Sequence, residues 1–131
     1  MFAGRDNHMN SSPQLSSTEK QVRFELATAK LVIQASIDGI ELICFRFIST
    51  MAEDLAYFNQ GKSEIDPRIT PTMHMQRLAK DFAVIVDGKI LWDRNLAYDR
   101  VGEIAESLGL RWGGEWKSLG DIYHVEYQEG A

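Results

Sequence analysis

The sequence predicts an α+β domain, with about three helices packed against a small, mainly antiparallel sheet. Three observations carry this. Ser16-Ser17-Thr18-Glu19 has the form of a capping box and opens a stretch of helical periodicity. The run Ala79 to Val86 is rich in β-branched and aromatic residues and ends at the turn dipeptide Asp87-Gly88, a strong hairpin signal. The order of elements along the chain is helix, strand, helix, hairpin, helix, strand, which favours antiparallel neighbours.

Met1 to Leu15 is polar, with Asn7, Asn10, Ser11, Ser12 and Pro13, so residues 1–15 are expected to form a flexible arm. His8 lies in that arm and reads as a tail residue. Residues 16–131 are then one domain. Its first helix carries Val22, Leu26, Ala29, Ile33 and Ile37 at helical spacing and ends at Asp38-Gly39. Glu41 to Ile48 reads as a strand. Ser49 to Asn59 reads as a second helix, with Met51, Leu55 and Phe58 on one side and Gly61 closing it. Lys62 to Met73, with Pro67 and Pro71, is a long connection of the kind that often holds substrate-binding residues.

The hairpin spans Ala79 to Trp92. In a strand Asp81, Ala83 and Ile85 share one face, and Phe82, Val84 and Val86 the other. Asn95 to Leu108 is the third helix, with Gly109 as its C-cap and Leu96, Val101, Ile104, Ala105 and Leu108 on the apolar side. Ile122 to Tyr127 alternates, placing His124 and Glu126 on one face and Tyr123, Val125 and Tyr127 on the other. No internal repeat is evident.

Composition agrees with a single domain, since 131 residues with 44% hydrophobic content suffice for one core. A net charge of -5 argues against a nucleic-acid binder, which needs a basic face to neutralise phosphates. Cys44 is the single cysteine, so no intrachain disulfide forms, and its apolar neighbours mark it as a small core residue. No apolar run reaches the length of a membrane span, so membrane insertion is not expected. The N-terminus lacks the layout of a secretory signal, from which cytoplasmic accumulation is expected. A monomer is expected.

The chemistry is concentrated in His74-x6-Asp81 and Asp121-x2-His124. Two imidazoles and one carboxylate suit a zinc ion that keeps an open coordination position, and a further carboxylate nearby suits a general base. His74, Asp81 and His124 are the candidate ligands, and Asp121 the candidate base. No H-E-x-x-H is present, so the ligands do not stack one turn apart on a helix. Taken singly, each residue also has a plain structural explanation as a loop, strand or turn polar group. Trp112-Gly113-Gly114-Glu115-Trp116 adds two tryptophans, of which Trp112 reads as a core plug and Trp116 as the side of a substrate groove. Trp92 reads as a packing residue.

Four motifs in order make a family visible. They are Thr72-Met73-His74-Met75-Gln76-Arg77-Leu78-Ala79-Lys80-Asp81, the Asp87-Gly88-Lys89 turn, Gly102 to Gly109, and Arg111 to Ser118 followed by Asp121-Ile122-Tyr123-His124. From about Glu41 to the C-terminus the chain resembles the zinc D-alanyl-D-alanine carboxypeptidase and L-alanyl-D-glutamate endopeptidase family, most of all its short phage-type members. The resemblance implies zinc held by His74, Asp81 and His124, with Asp121 as the catalytic carboxylate. It also implies that Arg46 holds a substrate carboxylate or steadies negative charge, as planar bidentate recognition by arginine allows. Two positions depart from the family pattern. Thr72 stands where serine is usual, and Arg46 is followed by Phe47-Ile48-Ser49 instead of directly by a hydroxyl residue.

Arg46, Thr72 and Trp116 are therefore the expected substrate-binding residues. The implied substrate is a peptidoglycan stem peptide, cut by metal-assisted hydrolysis in which Asp121 takes a proton from water and returns it to the departing amine. A phage or prophage enzyme acting on the cell wall follows from the same resemblance. The competing reading is a non-catalytic zinc-stabilised domain of a phage structural or wall-binding protein.

Overall fold

The computed structural model describes residues 14–117 and 120–130. The arm expected over residues 1–15 lies outside these except for Gln14 and Leu15. Each α-helix starts where a side chain accepts from one or two of its free N–H groups, a device worth about 1 kcal/mol each. Helix α1 spans Ser17–Ile37; Ser16 Oγ accepts the Glu19 N–H at 3.1 Å while the Glu19 carboxylate accepts the Ser16 N–H at 2.8 Å. Helix α2, Met51–Asn59, repeats the box with Thr50 and Glu53. Helix α3, Leu96–Ser107, begins at Asn95, whose Oδ1 accepts from Ala97 and Tyr98.

The strands are β1 (Glu41–Arg46), β2 (Ala79–Val86), β3 (Lys89–Leu91), β4 (Arg111–Trp112) and β5 (His124–Glu126), all paired antiparallel. Strand β2 is central: β1 runs along one edge, β3 and β5 share the other, and β4 extends the sheet from β5. Asp87 and Gly88 both have positive φ, 52° and 76°, which is the turn that a two-residue hairpin requires. Strand β4 has two residues, too short to leave an alternation in the sequence.

One irregularity sets up the site. Cys44 pairs with Phe82 and Arg46 with Asp81, so Phe45 is an extra residue in β1. Such a bulge re-aims the side chains that follow it. Phe45 stacks edge-on against Trp92 and Tyr123, at 5.9 and 5.7 Å between centroids, and Arg46 is left opposite Asp81. Asp81 in turn lies opposite His124. Three candidate site residues thus occupy one row across three strands.

The other face of β2 carries the core, where Phe82 and Val84 meet Phe24 and Leu31 of α1, Tyr98, Val101 and Ile104 of α3, and Trp112, Val125 and Tyr127. The helix stripe that packs here differs from the expected one. Phe24, Thr28, Leu31 and Ala35 of α1 are buried, whereas Val22, Leu26, Ala29, Ile33 and Ile37 face outward, with Ile37 78% exposed. Lys80 explains the difference. It is buried on the core side of β2, and its Nζ donates to Thr28 Oγ1 at 2.9 Å and Glu25 Oε2 at 2.8 Å. The inward stripe therefore contains a hydroxyl that apolar periodicity passes over.

Four further expectations are corrected. Strand β1 ends at Arg46 instead of Ile48, and on this edge strand Cys44 is exposed, not a core residue. Leu96, in the first turn of α3, is 85% exposed. Met51 also points to the surface. Trp112 fills the core as expected; its ring closes over Gly102 and Gly114, where an added Cβ would come within 2.2 Å of it. Among the described residues no helix is long and apolar enough to cross a membrane.

Candidate metal centre

His74 reaches the sheet from the turn that precedes β2. Leu78 donates its N–H to Met73 O at 2.8 Å and Arg77 donates to His74 O at 3.1 Å, with Arg77 at φ 61°, so the histidine sits on a closed turn and not on a loose loop. Asp81 and His124 come from adjacent strands. His74, Asp81 and His124 are all buried, and each offers one ligand atom within 4.8 Å of the other two.

Each imidazole is oriented by a partner on its outer side. His74 Nδ1 lies 2.8 Å from Phe47 O, and a carbonyl can only accept, so Nδ1 carries the proton and Nε2 presents its lone pair inward. His124 Nε2 lies 2.8 Å from Glu126 Oε1, which likewise places the inward lone pair on Nδ1. These inward nitrogens each stand 3.3 Å from Asp81 Oδ1. Among the described residues, His74 Nε2 and Asp81 Oδ1 are buried side-chain atoms with no hydrogen-bonding partner.

Three acceptors facing one another without a donor call for a cation. Ligands about 2.0 to 2.1 Å from a tetrahedral ion of zinc's size stand roughly 3.3 to 3.4 Å apart, which is the spacing from Asp81 Oδ1 to each nitrogen. Without a metal the cation is a proton. Burial alone would lower the pKa of His124, but the Asp81 and Glu126 carboxylates outweigh it and hold the ring up to about 9. Burial likewise works to raise Asp81, and the two imidazoles overcome it and keep this carboxyl well below its ordinary value.

Asp121 stands at the turn into β5. Its N–H donates to Gly113 O at 2.9 Å, and its Oδ1 accepts the Tyr123 N–H at 3.1 Å. A Cβ on Gly113 would meet Asp121 O at 2.7 Å, so this glycine lets two backbone segments close on each other beside the ligands. Burial, followed by the negative charge of Asp81, raises the pKa of Asp121. A carboxylate that binds its proton more readily than usual is suited to proton transfer near neutrality. Trp116, half-buried, holds its ring 4.9 Å from that of His124.

Arg46 reaches the far side of Asp81, with Nη1 3.7 Å from Asp81 Oδ2. Its partner, which sequence reasoning missed, is Asp54 on α2. Asp54 is buried and accepts from Arg46 Nη2 at 2.9 Å, Ser49 Oγ at 2.6 Å and Thr72 Oγ1 at 2.6 Å. A half-buried arginine amid an apolar strand signals that such a carboxylate must exist, without saying which one. Thr72 is engaged in both directions, since its oxygen also accepts the Met75 N–H at 3.1 Å. That hydroxyl joins the turn bearing His74 to α2. Glu126, the support of His124, was signalled by strand alternation alone.

Residues 67–127 match the family model described as D-alanyl-D-alanine carboxypeptidase. The peptidoglycan L-alanyl-D-glutamate endopeptidase CwlK of Bacillus subtilis (strain 168) is 32% identical over 108 residues, a match covering 70% of this chain and 64% of that protein. The L-alanyl-D-glutamate peptidase of Listeria phage A118 is 27% identical over 103 residues, covering 77% of this chain and 35% of that protein. The chain therefore spans less than two thirds of the length of either curated relative. Among solved structures, the L-Ala D-Glu endopeptidase ChiX of Serratia marcescens matches with a TM-score of 0.62 and 18% identity, covering 82% of this chain and 77% of that one. The vancomycin resistance D,D-pentapeptidase VanY, in complex with Zn(II), matches with a TM-score of 0.56 and 15% identity over 81% of this chain and 71% of its own. At these identities the structures share the fold.

Proposed function

We propose, for a chain that belongs to the D-alanyl-D-alanine carboxypeptidase family of peptidases, that it is a zinc peptidase cleaving peptidoglycan stem peptides at the L-alanyl-D-glutamate bond. The observation that carries this reading is the buried pair His74 Nε2 and Asp81 Oδ1, without hydrogen-bonding partners among the described residues, facing His124 Nδ1 beside a carboxylate of raised pKa. The choice of bond is supported by both curated relatives, which are named for it. The phage relative supports a lysis or wall-cleaving role.

His74, Asp81 and His124 would hold the ion. Zinc bound there supplies Lewis-acid polarisation of the scissile carbonyl and lowers the pKa of water. The remaining steps belong to side chains of this protein. Asp121 takes a proton from the attacking water and delivers it to the departing amine nitrogen, and its raised pKa makes it the stronger base for the first half of that transfer. Arg46 donates N–H groups to a substrate carboxylate or to the oxygen on which charge develops. Trp116 closes one side of the groove next to His124. Thr72 contributes by anchoring the His74 turn to Asp54.

The test uses purified zinc-loaded protein and intact peptidoglycan, with mass spectrometry of the released muropeptides. Stem peptides beginning at D-glutamate, with a new free amine, are the expected product. Release of D-alanine alone would move the assignment to carboxypeptidase action. A chain that binds zinc and stem peptide yet liberates no amine would be a binding domain.

A further inference from the structure

Asp54 lies outside the row of residues that meets the metal, yet it is 4% exposed and saturated by three donors. The two hydroxyls, Ser49 and Thr72, share Oδ2, which leaves Oδ1 to Arg46. The guanidinium is thereby held on three sides. Nη2 is bonded to Asp54 at 2.9 Å, the Tyr57 ring lies 4.9 Å from its central carbon, and Nη1 stops 3.7 Å short of Asp81 Oδ2. Among the described residues no other hydrogen bond engages this guanidinium.

Two carboxylates compete for one arginine here. A partly buried guanidinium released from Asp54 would close on Asp81, because an unpaired cation in this setting is costly and the planar fork fits a carboxylate. That collapse would draw charge from a metal ligand and turn the free N–H groups away from substrate. We propose that Asp54 is a positioning residue, which limits Arg46 to a long ion pair with Asp81 so that its N–H groups outside the Asp54 hydrogen bond stay available to the substrate. What Arg46 then does rests on the peptidase reading above; that Asp54 holds it does not.

The experiment is a double-mutant cycle on zinc-loaded protein, read by hydrolysis and by nitrogen NMR of the Arg46 side chain. Asp54→Ala and Arg46→Ala are each expected to lower kcat/KM by about 100-fold, the cost of misplacing a substrate-orienting group. The double variant should be no worse than either single one, since both remove the same interaction. Asp54→Asn, which keeps an acceptor for Nη2, should recover part of the loss and carries the cycle if the alanine variant does not fold. Ser49→Ala removes a partner of Asp54 without touching Arg46, and should alter kcat/KM by no more than a few-fold.

In the NMR arm, the Arg46 guanidinium should rotate slowly in the wild type and stay restricted in Asp54→Ala, with its Nη resonances shifted as its partner changes from Asp54 to Asp81. Losses that multiply in the double variant, or a guanidinium that already rotates freely in the wild type, would overturn the proposal. A wild type that binds zinc and cleaves nothing would end the peptidase reading alone, and the NMR arm would still decide what Asp54 does.

Discussion

Asp81 divides the site into two unlike halves. On the side of the histidines, His74 Nε2 and Asp81 Oδ1 are buried without hydrogen-bonding partners among the described residues, and His124 Nδ1 faces them. On the side of Arg46, the Asp54 carboxylate has three donors and the Thr72 oxygen both donates and accepts. A buried polar atom left unpaired costs about 1 to 3 kcal/mol, so the first half is tolerated where a ligand completes it. The satisfied half supplies the rigidity that keeps the unsatisfied one in shape.

Removing a ligand breaks the contrast most completely. His74→Ala should lose both bound zinc, read by elemental analysis, and all cleavage above background. Asp121→Asn separates chemistry from binding: zinc should stay stoichiometric while hydrolysis falls on the order of 1,000-fold or more, within the range general acid–base groups contribute. Retained activity in that variant would remove Asp121 from the mechanism. Glu126→Gln weakens the outer support of His124, along with the Arg111 ion pair, and zinc affinity measured by chelator competition should drop about 10- to 100-fold.

Acidity sharpens the same contrast in the metal-free chain. His124 has a folded pKa of about 9 against an ordinary 6.5, so its stabilising contribution is complete below pH 6.5 and is lost as pH rises through about 9. Asp81 is shifted the other way; its contribution holds above its ordinary 3.8 and is lost as pH falls below that. Thermal melts of metal-free protein should therefore peak between these limits. Zinc should abolish the alkaline decline, because it binds only the neutral ring, and its uptake at neutral pH should release a proton that a pH-stat detects. The smallest effect is expected in the satisfied half. Thr72→Val should lower stability by about 1 to 2 kcal/mol in urea melts while bound zinc stays stoichiometric.

How much was legible in the sequence differs by element. The capping box at Ser16, the Asp87-Gly88 turn and the alternation around His124 depend on residues within a few positions of each other, and the structure contains each of them where expected. Helix α1 was oriented wrongly. Two apolar stripes were available on it, and the one richer in aliphatic residues faces solvent because Thr28 pairs with a lysine 52 positions away. Cys44 was misjudged for a related reason, since nothing local reveals that β1 lies at a sheet edge.

The chain by itself determined which side chains are suited to hold a metal, where helices start, and which strand residues share a face, since these follow from residue chemistry and short-range periodicity. Tertiary structure alone decided that Phe45 bulges so that Arg46 faces Asp81, that Asp54 is the carboxylate beneath it, and that Phe47 and Glu126 turn both imidazoles inward. Those outcomes depend on competition among buried groups for partners, and the competitors meet only when distant segments pack together.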